Sequence, residues 1–441
     1  MPPATMSPVS LTPTINPSRL FNASCLALIV TAMSFALRGG AMASWTTEFH
    51  LTNEQAGWIN GAAFWGFTLA MVFGGPLCDA LGMGRIVRLA FVGHLAGILL
   101  TIFAWDGWSL FGGTLIFGIA NGSVEAACNP LIAGLYPSDK TTKLNHFHVW
   151  FPGGIVIGGL LAFLLGKLGL GWKVQFATML LPLAAYGFLF LGQAMPRTER
   201  VQMGVSTGDM FRACLNPVFL IMVVCMFLTA ATELGPGQWI PSILENAGVS
   251  GILVLVWITG LMAIGRQFAG PFVHRLRPMG MLLGSAIVSA LGLFLMSRSQ
   301  GPMLFASATV FAFGVCFFWP TMLGFVNERF PKTGALGLAV MGGAGMLSAG
   351  FVLPVIGRSY DAGIAAGITT GIRDARVPDG ATIDSLRSAA AGSEQAVEWM
   401  NIQAAAGLQA LGDVAILPAI LTGVFLLLLV FGRPGARVTP D

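Results

Sequence analysis

Twelve apolar runs, each of roughly 20 residues, constrain this chain more than any other feature. A helix of that length crosses about 30 Å of hydrocarbon and satisfies its own backbone polar groups there. The runs lie near 21–44, 56–77, 86–104, 109–132, 144–165 and 173–193, then 216–237, 251–272, 279–297, 302–323, 335–356 and 412–431. Composition agrees, with 55% hydrophobic and only 10% charged residues. A soluble domain needs about 25% charged residues to cover its surface. The chain therefore reads as an all-α integral membrane protein.

Two six-helix bundles are expected. The first spans 1–193 and opens on a short disordered Pro/Ser/Thr-rich stretch with no signal-peptide layout. A cytoplasmic connector covers 194–215, and the second bundle spans 216–441. FGGPLCD at 73–79 returns as FAGPFVH at 268–274, an offset of 195 residues. Such doubling, with a cavity between the halves, is a recurrent transporter plan. Of the 23 basic residues, 14 fall in segments that are cytoplasmic if both termini are. These are Arg19, Arg85, Arg88, Lys140, Lys143, Arg197, Arg200, Arg212, Arg275, Arg277, Arg329, Lys332, Arg433 and Arg437. The bias sets the orientation and points to a bacterial cytoplasmic (inner) membrane. Segment 357–411 becomes an extracytoplasmic loop, with surface helices inside it and Asp384 as a candidate cap.

Charged and amide side chains inside the runs are the candidate machinery, because each is expensive in lipid unless it has a partner or a polar cavity. Asn121, Glu125 and Asn129 repeat at i, i+4, i+8 and share one face of the fourth run. Pro130 follows and is expected to distort the helix. Asn145 and His148 share a face at the start of the fifth run. Glu125 reads either as a locked hydrogen-bonding residue or as a protonatable or sugar-binding carboxylate. Asn121 and Asn129 suit helix–helix bonds or ligand contacts equally, and His148 suits a substrate donor, a proton relay or packing. His94 reads as structural. Trp65, Trp239, Trp257 and Trp319 lie near Asn60 and Gln238; ring platforms beside amides suit sugars, although packing and interface anchoring claim most tryptophans.

Arg38 and Glu233 are also 195 residues apart, at equivalent depths of their halves. Opposite charges there predict a gate at the outer mouth, against the alternative that each snorkels or binds elsewhere. GPLCDALGMGR at 75–85 reads as a cytoplasmic turn in which Asp79 caps the next helix or pairs with Arg85. Neither a dinucleotide loop, a nucleophile–base pair nor a metal-ligand spacing is present. The six cysteines show no ligand spacing, and no basic cluster suits nucleic acid. No enzyme, cofactor or metal is expected.

GPLCDALGMGR resembles the loop signature of the major facilitator superfamily, with Ala80 in place of its first basic residue. VEAACNP and LNHFHVWFPGG resemble motifs of the fucose–proton symporter family: Glu125, Asn129 and Pro130 match its Glu-(x)3-Asn-Pro, and Leu144, Asn145 and Gly154 its Leu-Asn-(x)8-Gly. The resemblance implies cation-coupled sugar uptake by alternating access, with H+ or Na+ as coupling ion, Glu125 in binding or coupling, and Asn145 orienting the site. Gly39 stands where that family carries its proton-linked Asp. The alternatives are uptake or efflux of a non-sugar metabolite or drug, and a receptor that binds without moving its ligand. A functional monomer in a lipid bilayer is expected.

Overall fold

The computed structural model describes residues 15–138, 140–196, 207–268 and 270–431. Twelve helices dominate them. In the first half these are α1 (Pro17–Glu48), α2 (Asn53–Leu81), α3 (Met83–Ile102), α4 (Gly107–Leu135), α5 (Trp150–Lys167) and α6 (Trp172–Phe190). In the second they are α7 (Pro217–Asn246), α8 (Gly251–Gln267), α9 (Arg275–Met296), α10 (Met303–Arg329), α11 (Gly334–Arg373) and α12 (Glu394–Val430). Eleven of these are long and apolar enough to cross a membrane, and α8 is a shorter apolar helix. The protein is a multi-pass integral membrane protein of two pseudo-symmetric bundles. Part of the expected connector, including Arg197 and Arg200, and the C-terminal Arg433 and Arg437 lie outside the described residues.

Local chemistry fixes the helix ends. Thr52 with Gln55 and Asp106 with Ser109 form capping boxes that start α2 and α4. The 75–85 turn expected from the sequence contracts to one residue. α2 runs through Leu81, and Gly82 alone, at φ 83°, reverses the chain into α3. Gly82 holds the N-cap position of α3, so Asp79 does not cap it. Likewise α4 continues through Pro130 as helix to Leu135.

Segment 357–411 is the largest departure. α11 does not stop near 356 but runs 40 residues to Arg373. At 1.5 Å per residue that is about 60 Å, far more than a bilayer core requires. A short helix, Ile383–Arg387, and the first part of α12 complete a folded cap. Thr382, not Asp384, is the N-cap of the short helix, accepting from the Ser385 backbone N–H. The extra helix stays ordered because it packs: Gly363 and Gly367 of α11 lie against Ala406 and Ile402 of α12.

The halves meet mainly through α2 with α11, α5 with α8 and α1 with α7. Small residues permit the closest approach. A Cβ on Gly57 would lie 2.6 Å from the Leu353 carbonyl oxygen, and one on Gly61 2.6 Å from that of Gly350. At the face opposite the termini, Asp361 of α11 accepts from the backbone N–H groups of Asn53 (3.0 Å) and Glu54 (2.9 Å). A carboxylate of one half thus caps a helix N-terminus of the other. Arg358 adds an ion pair to Glu54 at 2.6 Å. That face is sealed. Among the described residues α4 makes no comparable contact with the second half.

Candidate functional site

Between the halves lies a mainly apolar cavity. Phe35 of α1, Phe151 and Pro152 of α5, and Leu255, Ile258 and Met262 of α8 line it, with Phe311 of α10. Into this lining project Glu233 and Gln238 of α7, Thr259 and Arg266 of α8. Arg266 Nη2 lies 3.3 Å from Glu233 Oε1, and Arg266 Nε donates to the Cys316 carbonyl oxygen at 2.9 Å. The other Glu233 oxygen, Oε2, is buried with no partner among the described residues. Glu233 is 12% exposed and Arg266 30%, so the guanidinium is the more accessible member of the pair.

Arg38 and Glu233 do not pair. Each instead engages the second helix of its own half, Arg38 with Asn60 of α2 and Glu233 with Arg266 of α8. Arg38 is fully buried, its guanidinium 5.1 Å from the rings of both Phe35 and Phe64. It donates to the backbone and side-chain oxygens of Asn60, and Asn60 Nδ2 donates to Gln238 Oε1 at 3.1 Å. Gln238 Nε2 then donates to the Phe35 carbonyl oxygen at 3.1 Å. A bridge between halves exists, therefore, but it is a cation with two amides and not an ion pair.

The fourth-helix stripe divides. Asn129 Nδ2 donates to Glu125 Oε2 and His148 Nε2 to Asn129 Oδ1, both at 2.9 Å. This chain runs from a buried carboxylate to an exposed imidazole. Asn121 belongs to a different, fully buried network, accepting from His94 Nε2 at 2.9 Å and donating to Ser34 Oγ at 3.2 Å. The Asn121 bond sets the His94 tautomer, so Nδ1 accepts the Tyr186 hydroxyl at 2.9 Å. This ties α1, α3, α4 and α6 together and matches the structural reading of His94. The Asn145 side chain lies outside the described residues.

The tryptophans are not platforms of the cavity. Trp239 is buried and donates to the Leu353 carbonyl oxygen at 3.1 Å. Trp65 packs on Trp58, Phe111 and Phe351. Trp257 is 45% exposed and donates to Thr309 at 2.8 Å. Asp79 is half-buried and engaged within the protein, whereas Arg85 is exposed. Sequence reasoning found Glu233 and Gln238 but missed Arg266. The arginine sits at the C-terminal end of an apolar run, where a snorkelling basic residue is unremarkable.

Residues 24–357 match the sequence pattern of the Major Facilitator Superfamily. The chain belongs to that superfamily. The inward-facing, unoccupied structure of a bacterial homologue of the human lysosomal transporter Spinster aligns with a TM-score of 0.77 at 15% identity, over 96% of this chain and 99% of that one. The D-xylose–proton symporter aligns at 0.69 and 14%, over 92% and 97%. Both establish the fold alone. Three sequence relatives carry more specific names. The cis,cis-muconate transport protein of Acinetobacter baylyi is 26% identical over 57% of this chain and 65% of its own length. The gentisate transporter of Corynebacterium glutamicum is 24% identical over 48% and 50%. The 3-(3-hydroxy-phenyl)propionate transporter of Escherichia coli is 27% identical over 66% and 75%. The chain thus spans about half to two-thirds of the length of the first two. These names widen the expectation beyond fucose-type symport to this superfamily's small solutes in general.

Proposed function

We propose that this superfamily member is a secondary transporter that moves a small, planar carboxylate across a bacterial inner membrane by alternating access, with a proton as coupling ion. One observation carries the reading: Arg266 and Glu233 together in an aromatic-walled cavity between the halves, with Arg38 buried behind Phe35. Two guanidiniums against one carboxylate favour an anionic guest in a low-dielectric setting. Phe35, Phe151 and Phe311 supply apolar faces for a ring or a conjugated chain. The solutes for which the three relatives are named, muconate, gentisate and hydroxyphenylpropionate, combine a carboxylate with a ring or a conjugated chain.

Coupling follows from exchange of partners. Glu233 holds Arg266 when the site is empty. A proton on Glu233 removes that charge and releases the guanidinium, which then takes the carboxylate of the solute bidentately. One proton and a monocarboxylate enter together as a neutral set, and a dicarboxylate needs a second proton, which is the electrostatic condition for crossing between open states. The far face, sealed by α2 and α11, is the outer one in this reading, and both termini are cytoplasmic. Glu125, Asn129 and His148 provide a second titratable chain that opens near the inner end of α4.

A sugar substrate is the second reading, favoured by the Glu125–Asn129 amide–carboxylate pair, a hydroxyl-binding chemistry on the first half. Uptake of labelled gentisate, benzoate and xylose into proteoliposomes, with H+ and Na+ gradients imposed independently, separates the two. Acid uptake driven by an inward proton gradient is expected. Xylose accumulation without acid uptake would transfer the assignment to sugars.

A further inference from the structure

Above the sealed gate the folded cap encloses a second cavity of about 110 Å3, distinct from the central one. A single water needs roughly 10–15 Å3 on this measure, so the space admits a small organic solute. Its walls come from both halves: Thr47 and Asn53 of the first, and Ser242, Arg387, Trp399 and Gln403 of the second. The lining is predominantly polar, unlike the central cavity.

Thr46, Thr47, Asn53 and Asn246 of its lining are bonded within the protein, but three further side chains are not. Three carboxylates around it are engaged: Asp361 with Asn53 and Glu54, Glu54 with Arg358, and Glu398 with Arg376. Arg387, half-buried on Ile383–Arg387, has no ion pair or hydrogen bond among the described residues, and neither do the Trp399 indole N–H or the Gln403 amide. A free guanidinium beside an indole and an amide is recognition chemistry for an aromatic carboxylate.

We propose that this outer cavity is a regulatory site for the same class of carboxylate that the central cavity carries, and that its occupant holds the outer gate shut. The proposal rests on the carboxylate reading of the central site. Asn53 forms one wall and is itself held by Asp361 across the interface, so the cavity is complete only while the outer face is closed. A ligand that binds one conformation better shifts the population toward it. Carboxylate at concentrations that fill the outer cavity therefore slows reopening and inhibits its own uptake.

Equilibrium binding of labelled gentisate, cis,cis-muconate and benzoate to purified protein in neutral detergent tests this directly. Two sites are expected in the wild type and one in either Arg387→Gln or Arg266→Gln; combining them should abolish binding. Losing a charge-assisted contact should weaken the outer site by about tenfold or more, and Gln403→Ala should weaken it less, which guards against a folding defect in one variant. In cells, uptake should fall at high external acid in the wild type but reach a plateau in Arg387→Gln. One site throughout, lost in Arg266→Gln and unaffected by Arg387→Gln, would overturn the outer site and leave the central reading standing. No binding of any acid to any of these proteins would overturn both.

Discussion

Glu125 in the first half and Glu233 in the second are both carboxylates inside apolar helices, yet their partners differ in kind. Glu125 accepts from a neutral amide, itself held by an exposed histidine. Glu233 faces a guanidinium inside the cavity and leaves one oxygen unpartnered. A carboxylate with neutral partners can stay protonated or ionised without disturbing a second charge. One paired with arginine cannot, because each proton it takes frees a cation. In the proposed reading, the difference places recognition and coupling in the second half and makes the first half's chain auxiliary.

The largest expected effect is at Arg266. Arg266→Gln removes the anion partner and should reduce carboxylate uptake about 100-fold, the scale of lost charge-assisted hydrogen bonds. Arg266→Lys should recover only part, since an ammonium cannot reproduce the planar fork. Next comes Glu233→Gln, which permanently mimics the protonated state. It should abolish proton-driven accumulation while sparing exchange of labelled for unlabelled acid across proteoliposome membranes. Equal losses of both would show that Glu233 binds solute instead of coupling it.

What the sequence made legible follows from the length scale of each signal. The spans, their doubling and the buried polar stripe rest on hydrophobic runs and helical spacing, and these are local. The end of α11 was not legible, because residues 357–373 are too polar to read as a span and become helical by packing on α12. Pairing across helices was equally hidden. The 195-residue offset pairs Arg38 with Glu233 in sequence, but equivalence under pseudo-symmetry says nothing of contact. Asn121 looked inseparable from Glu125 because both share a helix face; His94 and Ser34, on other helices, draw it into a separate network.

Smaller effects sharpen the comparison from the gate. Gly61→Leu would place a side chain into the Gly350 backbone and should hold α2 off α11. Uptake should drop severalfold, with cysteine probes in the cavity labelled more readily from outside. Asp361→Ala removes the cap that one half gives to the other, at a cost of about 1 kcal/mol to the closed outer face. External labelling should rise about fivefold. Glu125→Gln should have the smallest effect, since the amide preserves the contact with Asn129. Accumulation as impaired as in Glu233→Gln would instead restore Glu125 to the coupling role.

The most direct measurement of the central claim is competition binding at the central site, comparing benzoate with benzamide in wild type and Arg266→Gln, both carrying Arg387→Gln to silence the outer cavity. The two ligands share a ring and nearly the same shape but differ in charge. Binding should favour the acid by about 100-fold with Arg266 present and show little preference without it. Equal affinity for acid and amide with Arg266 intact, or an acid preference that survives Arg266→Gln, would contradict the account.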